Sequence, residues 1–352
     1  MNDLRKRLKG NKELFEKIKD SDYVPEYLSS GVITMNLLHK GKVDRAVKIG
    51  CMEQISADSS FGKSFIACNI LKNAQKHGME TIVIDTERAF STKLAESVGV
   101  NIDEDHLLIV ETANIGKITQ ALALISEGKT RTERRNIFVL VDSWGPLVDD
   151  VTMEKAADGN TTQNMRLPQE KNKLANYMNE TDMTYYIVNG VYKNTGGFGD
   201  PYQVGGGGRL KFNSQSVVLA TSKAKDKDSA GKVIGAIITC EAHKGRDAVE
   251  KSTKLKFRIK HDGGLDIYYG LLPDALDHGC VTKPKNGWFH RPEFDEEGKN
   301  WRESKMYCKD FWEDLLRKTD FKEFLESKYS YEDRVIDVSE LDAADFFTDD
   351  EE

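Results

Sequence analysis

Five short apolar runs, separated by segments with apolar residues at helical spacing, constrain this chain more than anything else in it. The runs are VKIGCMEQIS, TIVIDTE, HLLIVET, NIFVLVDS and TYYIVNGVY; between them lie SFIACNILKNAQKHG, STKLAESVG and KITQALALISEG. Strands that are apolar at nearly every position belong in a parallel sheet covered on both faces. Their alternation with helical segments implies βαβ units and a doubly wound α/β core. Past residue 213 the pattern changes. SVVLATSK, VIGAIITCEAHK and KLKFRIKHD follow one another with charged turns and no helices, an antiparallel extension of the same sheet.

The rest of the chain is arranged around that core. Residues 1–30 read as a basic helical segment whose Leu4, Leu8, Phe15 and Ile18 are too sparse for a core of their own, so it is expected to pack on its own domain or on a neighbouring subunit. Residues 31–267 form the α/β core and 268–330 a small α+β unit with short helices and the turn KPKNGW. Residues 331–352 are an acidic tail with ten acids against one base, which exceeds the net charge of −7 on the whole chain. The remainder is therefore close to neutral and compatible with DNA; the tail reads equally well as a disordered, solvated end. No apolar run approaches the roughly 18 residues that span a bilayer, and the N-terminal charges are not followed by the apolar stretch of a secretory signal. The five cysteines show neither CxxC spacing nor histidines in zinc register, which suits a reducing cytosol.

The chemistry gathers at the ends of the apolar runs. SADSSFGKSFIAC is almost a phosphate-binding G-x-x-x-x-G-K-S/T loop, with Ala57 where the first glycine belongs. It is either a phosphate cradle or a polar turn that contains Gly-Lys-Ser. Its place between an apolar strand and an amphipathic helix favours the cradle. The backbone N–H groups of Ala57, Asp58, Ser59, Ser60, Phe61 and Gly62 would surround phosphates, aided by the helix N-terminus at Lys63, Ser64 and Phe65. Lys63 would reach the β- and γ-phosphates, Ser64 would ligate Mg2+, and Gly62 would allow close backbone approach.

NIFVLVDS ends on Asp142, placed to hold Mg2+ through water beside Ser64 at the strand ends where α/β sheets bind ligands. Taken alone, Asp142 is equally a cap for a following helix. IVIDTERAF adds Asp85 and Glu87 at the same edge, where a glutamate can polarise the water that attacks a γ-phosphate; an exposed surface carboxylate is the alternative for Glu87. The glycine-rich NTGGFGDPYQVGGGGRLKF, residues 194–212, reads as a mobile loop without regular structure. Its amides, Arg209 and Lys211 suit phosphate contact, and Phe198 suits stacking on bases or wedging between them. Composition alone favours a flexible linker.

Together these residues resemble the RecA family of recombinases, and within it the phage UvsX branch, from about residue 29 to 316. SSGVITMNLLHKG is similar to the stretch ahead of the family's P-loop strand, and IDTERAF with the following VGV to the segment that carries its catalytic glutamate. VDS at 141–143 is similar to the Walker B strand, and FGDPYQVGGGGRLKF runs without a gap along the second DNA-binding loop. DGGLDIYYGLLPDAL and KPKNGWF resemble the UvsX branch in particular.

The resemblance implies a RecA-like P-loop NTPase fold with Glu87 as the catalytic glutamate. It makes Phe198 the stacking phenylalanine, and Gly206 and Gly207 the glycines whose amides hold DNA phosphates. HKGR implies that Lys244 and Arg246 reach ATP across an interface between subunits, joining Lys63 and Glu87 in catalysis. Arg166 is the candidate in the region of the first DNA loop, residues 150–168. Three positions depart from the family pattern: Ala57 in the P-loop, Leu94 where an adenine-stacking tyrosine falls, and Gly190, next to Asn189, where a γ-phosphate-sensing side chain falls.

The protein so implied is a DNA-dependent ATPase using ATP and Mg2+. It would assemble as a helical filament of its own copies on single-stranded DNA and catalyse pairing and strand exchange with homologous duplex. A single-stranded-DNA-binding protein and a recombination mediator are the implied protein partners, with no membrane. The implied location is the cytoplasm, the host's for a phage protein. Two other readings stay open: a RecA-fold helicase or translocase with the same ATP motifs, and a filament-forming accessory protein that binds ATP but turns it over poorly.

Overall fold

The computed structural model describes residues 24–159, 164–193, 202–205, 207–246 and 249–330. Most of the N-terminal segment read as helical, residues 1–23, and the acidic tail, residues 331–352, lie outside the described residues. The described chain opens on strand β1 (Tyr27–Leu28), helix α1 (Ile33–Lys40) and β2 (Val47–Lys48), and β1 pairs antiparallel with β2. The part of residues 1–30 that is described is therefore extended, not helical. Pro25 removes a backbone donor and biases Val24 away from helix, and Gly31 turns the chain at φ 78.

The core then follows in order: β3 (Met52–Ser56), α2 (Lys63–Lys76), β4 (Glu80–Asp85), α3 (Thr92–Val98) and β5 (Leu107–Glu111). After it come α4 (Ile115–Ser126), α5 (Arg131–Arg135), β6 (Ile137–Asp142), α6 (Asp150–Ala157), α7 (Leu167–Glu180) and β7 (Thr184–Asn189). A hairpin of β8 (Val191–Lys193) and β9 (Tyr202–Val204) and the short helix α8 (Gly208–Asn213) lead to β10 (Ser216–Lys227). The last core strands are β11 (Val233–Gly245), β12 (Lys254–Lys260) and β13 (Gly264–Leu265). Nine of these strands form one sheet in the order β13-β12-β11-β10-β3-β7-β6-β4-β5. The six from β10 to β5 run parallel and β11 to β13 antiparallel, the arrangement that the change of pattern past residue 213 predicts.

Three runs divide differently from their reading. VKIGCMEQIS is two strands, because Gly50 turns the chain at φ 76, and TYYIVNGVY breaks at Gly190 into β7 and β8. The stretch 194–212 is not wholly irregular. Its C-terminal part carries β9 and α8, since Leu210 is fully buried and gives the helix an apolar anchor that the glycine count hides.

Successive strand residues point to opposite faces, so the sheet carries two apolar clusters. Ile55, Val83, Leu140, Tyr186 and Val218 face α1 and α2 through Leu37, Leu38, Ile66 and Ile70. Ile82, Ile84, Val139, Val141 and Ile187 face α4 and α7 through Ile118, Leu122, Leu174 and Met178. An ion pair is buried on the first face. Lys40 Nζ lies 2.7 Å from Glu53 Oε1, both side chains are buried, and Ser216 donates its N–H to Glu53 Oε2 at 2.6 Å. Burial pushes the Glu53 carboxyl up, while the Lys40 ammonium and the Ser216 donors act against that shift.

The C-terminal unit comprises α9 (Leu272–His278), β14 (Thr282–Lys285), β15 (Trp288–His290), β16 (Trp301–Arg302), α10 (Glu303–Met306), α11 (Lys309–Lys318) and α12 (Phe321–Tyr329). The three strands form an antiparallel sheet, and Phe311, Trp312, Phe321 and Leu325 join the apolar cluster of α1 and α2. Arg258 of β12 is a polar link between unit and core. Its guanidinium lies 4.6 Å from the Tyr269 ring centre and 4.5 Å from that of Tyr307, and donates to Asp266 Oδ2 at 2.6 Å. Arg258→Ala leaves the buried Asp266 carboxylate with the Tyr268 N–H at 3.2 Å and Lys260 at 3.5 Å, so unfolding in urea should lose about 3 kcal/mol of stability. A loss below about 1 kcal/mol, the range of surface pairs, would show that the sandwich does not hold the unit in place.

Candidate nucleotide and DNA site

The register of the parallel strands decides what meets at their C-terminal edge. Ser56 pairs with Asn189, Asp142 with Val188 and Asp85 with Asp142. The loops that leave β3, β4, β6 and β7 therefore start side by side.

The loop after β3 explains its own sequence. Ala57 is buried and donates its N–H to the Asn189 carbonyl at 3.2 Å. Among the described non-glycine residues a left-handed φ occurs at Ser60, Arg88, Asp182 and Ser252, and not at Ala57, so position 57 needs no glycine. Position 62 does. Gly62 has φ 76 and a Cβ there would lie 2.3 Å from Ile259 Cδ1. Lys63 opens α2 and folds back over the loop, its Nζ donating to Ala57 O at 3.0 Å and to Asp58 O at 2.8 Å. Burial lowers its pKa, and the carboxylates of Asp142, Asp58 and Glu87 oppose that shift, which places the amine in their field.

Two further strand ends carry those carboxylates. Asp85 is buried and accepts the N–H groups of Glu87 at 3.2 Å, Ala89 at 3.2 Å and Phe90 at 2.9 Å, so it shapes the turn that presents Glu87. Glu87 is exposed, and its Oε1 accepts from Ser143 Oγ at 2.6 Å. Ser143 donates its N–H to Thr86 Oγ1 at 2.9 Å, and Thr86 Oγ1 donates to Ser143 O at 2.7 Å, latching the β4 and β6 loops together. The Asp142–Ser143 peptide is cis. Burial raises Asp142 to about 6, with Glu87 and Asp85 adding to the shift and Lys63 opposing it.

This donor set fits Mg2+. A hydroxyl on Ser64 and a carboxylate on Asp142 are hard oxygen ligands, in a corner where three carboxylates face the single ammonium of Lys63. Among the described residues no three His, Cys, Asp or Glu side chains form a complete metal cage. Beside the loop, Phe61, Phe65, Leu94, Ile238, Ile259 and His261 help to line a cleft of about 360 Å³. Leu94 stands on its wall, so the position where the family pattern has tyrosine still offers apolar contact.

The second half of the candidate site lies past β7. Phe198 and Gly206 lie outside the described residues. Gly207 has φ 86, and a Cβ there would lie 3.0 Å from Asn172 Oδ1. The same Asn172 oxygen accepts the Arg209 N–H at 3.3 Å, and Arg209 is exposed. Lys211 turns toward β11, where its Nζ lies 2.7 Å from His243 Nε2. Arg166 is exposed at the start of α7, and Asn213 at the end of α8 donates to the Ala175 carbonyl of α7 at 3.0 Å, so the two helices lie side by side.

Lys244 and Arg246 are not brought to the phosphate loop of their own chain. They lie where β11 meets the start of β10, and Ser216 there pairs with Glu53 at the opposite end of β3 from Ala57. Four strand residues, roughly 13 Å, separate the two ends. Both cations converge on one group: Lys244 Nζ donates to the Phe212 carbonyl at 2.7 Å and Arg246 Nη2 donates to it as well. Burial, with Arg246 nearby, brings Lys244 down to about 8.

Sequence reasoning passed over Ser143, Asn172 and Asn189. Ser143 and Asn189 carried a signal of the kind that found Asp142, a polar residue where an apolar strand ends. Asn172 carried none, because it sits inside a polar helical stretch.

A parallel sheet with a Gly-Lys-Ser loop, a second acidic strand end and an antiparallel extension beyond a glycine-rich loop defines the class: an α/β protein of RecA-like fold. A sequence profile of the RecA N-terminal domain matches residues 10–265, and one of the C-terminal domain of the bacteriophage T4 recombination and repair protein matches residues 268–325. The chain belongs to the RecA family. It is similar to the recombination and repair protein of Enterobacteria phage T4, 24% identical over 356 residues that cover 97% of this chain and 89% of that protein. The RecA protein of Oceanobacillus iheyensis is 30% identical over 275 residues, 76% of this chain and 74% of that one. That of Ruminococcus albus is 28% identical over 243 residues, 68% of this chain and 58% of that one.

The geometry of the loop predicts opposite outcomes for two small substitutions. Gly62→Ala combines a left-handed φ with a clash, and affinity for a fluorescent ATP analogue should fall by about tenfold or more. Ala57→Gly only adds backbone freedom, and should change affinity by less than about threefold. Equal losses in both titrations would contradict the assignment of the loop.

Proposed function

We propose that the chain is a DNA-dependent ATPase that forms filaments on single-stranded DNA and catalyses homologous pairing and strand exchange in recombination and repair. The observation that carries this reading is the meeting of Lys63, Ser64, Glu87 and Asp142 at one sheet edge, in loops after β3, β4 and β6, of which β3 and β6 flank the strand that runs into the glycine-rich loop. ATP is the substrate. The amides of Ala57 to Gly62 would enclose its phosphates, and Lys63 would exchange the Ala57 and Asp58 carbonyls for phosphate oxygens. Glu87, oriented by Ser143, is placed to accept a proton from the attacking water. Ser64 and Asp142 would hold Mg2+, which when bound neutralises phosphate charge.

The position of Lys244 and Arg246 supports assembly. A residue pair that stands at the far end of the sheet from its own Lys63 serves the nucleotide of a neighbouring copy in a head-to-tail array, which closes into no ring when the rotation does not close. Arg166, Gly207 and Arg209 would contact DNA phosphates, joined by Lys211 once its amine leaves His243, with Gly206 completing the amide pair and Phe198 stacking on bases. Binding of ATP would favour the DNA-holding state and hydrolysis would release it. Homologous duplex is the second DNA substrate, and a single-stranded-DNA-binding protein and a mediator suit a filament that must load on covered strands. No helix among the described residues is long and apolar enough to cross a membrane.

Joint-molecule formation between homologous DNAs, measured beside ATPase rates with and without single strands, tests the proposal. The recombinase reading expects joint molecules and stimulated hydrolysis; stimulated hydrolysis without joint molecules would make the chain a translocase. Mixing carries the shared-site element. Lys244→Ala and Glu87→Gln subunits, each slowed by about a hundredfold or more alone, should together recover part of the rate. No recovery at any ratio in mixed filaments would place the two cations outside the reaction.

A further inference from the structure

We infer that Lys223 is a positioning residue of the phosphate loop, an inference that rests on the nucleotide reading above. Its amine donates to the Ser60 carbonyl at 2.7 Å. Lys223 lies on β10, and an irregularity in that strand brings it there. Val218 and Ala220 are buried on the face of α1 and α2, and strict alternation would send Ser222 to the same face next. The pairing with β11 shifts between Ala220, opposite Cys240, and Ser222, opposite Thr239. The extra residue, Thr221, makes a β-bulge that turns Lys223 to this face instead, opposite Ile238. Lys223 and Ile238 then line the cleft beside the phosphate loop, together with Phe61 and Gly62.

What the amine does there follows from the backbone of the loop. Ser60 has φ 63 and Gly62 φ 76, while Phe61 between them is not left-handed. Such alternation of hand makes successive N–H groups converge on a concavity that takes anions. Gly62 adopts its conformation without steric cost, whereas at Ser60 the Cβ opposes it. Ser60 therefore needs a hold from outside the loop, and Lys223 provides a charge-assisted one. A peptide unit is planar, with its C=O and N–H pointing in opposite directions. Drawing the Ser60 carbonyl toward β10 turns the Phe61 N–H away from β10 and into the concavity. Lys63 takes the Ala57 and Asp58 carbonyls from within the loop, contacts it would exchange for phosphate. Lys223 takes the Ser60 carbonyl from the sheet and keeps it when nucleotide enters.

Titrating the full-length protein with a fluorescent ATP analogue tests the assignment. Lys223→Met should weaken binding by about tenfold, the scale of one hydrogen bond to a charged group, and Lys223→Arg should recover most of the loss. Lys225→Met removes the same charge two residues along the strand and should shift affinity by less than about threefold. In a Ser60→Gly background, where the left-handed conformation needs no hold, Lys223→Met should weaken binding by less than about threefold. Fluorescent ADP should lose as much as the ATP analogue, because the loop amides enclose the α- and β-phosphates. Equal tenfold losses in both backgrounds, or an equal loss in Lys225→Met, would show the amine acting as bare charge and overturn the inference. Unchanged affinity in Lys223→Met, or a loss confined to the ATP analogue, would overturn it too. A wild type that bound neither nucleotide would overturn the nucleotide reading itself, an outcome distinct from tight binding that ignores position 223.

Discussion

The pairing of β3 with β7 is the constraint on which the site depends. β3 delivers the phosphate loop and β7 the glycine-rich loop, and their register sets Ser56 against Asn189 so that both loops begin at one level. From β3 the chain goes to β4, on one side of the pair, and from β7 it goes to β10, on the other. Strands whose continuations part in this way leave a crevice at their carboxyl ends, where open α/β sheets take their ligands. β6 then stands beside β7 and β4 beside β6, which brings Asp142 and the turn bearing Glu87 to the same crevice. Slipping the β3–β7 register by one residue would point each strand's core side chains at the wrong face, so the apolar alternation of the two faces protects the alignment of the site.

Charge is distributed unevenly along the sheet. Asp85, Glu87 and Asp142 gather at the carboxyl ends, while Lys244 and Arg246 gather near the opposite end of β3, held on the Phe212 carbonyl. The buried Lys40–Glu53 pair fixes that second end, because Glu53 takes the N–H of Ser216 where β10 begins. Breaking such a pair leaves an uncompensated buried charge, so the start of β10, and with it the strand that positions Lys244, is rigidly placed. Two complementary ends on one rigid sheet are what a head-to-tail array requires.

Much of this was legible in the sequence for identifiable reasons. The parallel core showed because strands buried on both faces are apolar throughout; Lys63 and Ser64 showed because Gly-Lys-Ser lies between an apolar strand and an amphipathic helix, and Asp142 because it stands where an apolar run stops. Ala57 departs from the loop pattern, yet its backbone does not adopt the left-handed conformation that would call for glycine. Helix α8 was hidden because glycines dominate the composition of 194–212, although Leu210 alone anchors it. The turn after Lys48 was hidden because one apolar run spans both strands. Partnerships were the least legible level. That Asp85 holds three backbone N–H groups, that Ser143 orients Glu87 and that Asn189 reaches Gly205 depend on loops folding back at one edge, and no local pattern records it.

The central claim is that one strand pair makes nucleotide and DNA binding a single linked equilibrium. Linkage requires the two effects to be equal: the factor by which a nonhydrolysable ATP analogue tightens single-stranded DNA must match the factor by which that DNA tightens the analogue. Titrating the wild-type protein around the full thermodynamic cycle, at one salt concentration because the DNA term is salt-dependent, gives both numbers. The account predicts a common factor of about tenfold or more. Factors near one in both directions would contradict it, showing that the two loops share an edge without sharing a state.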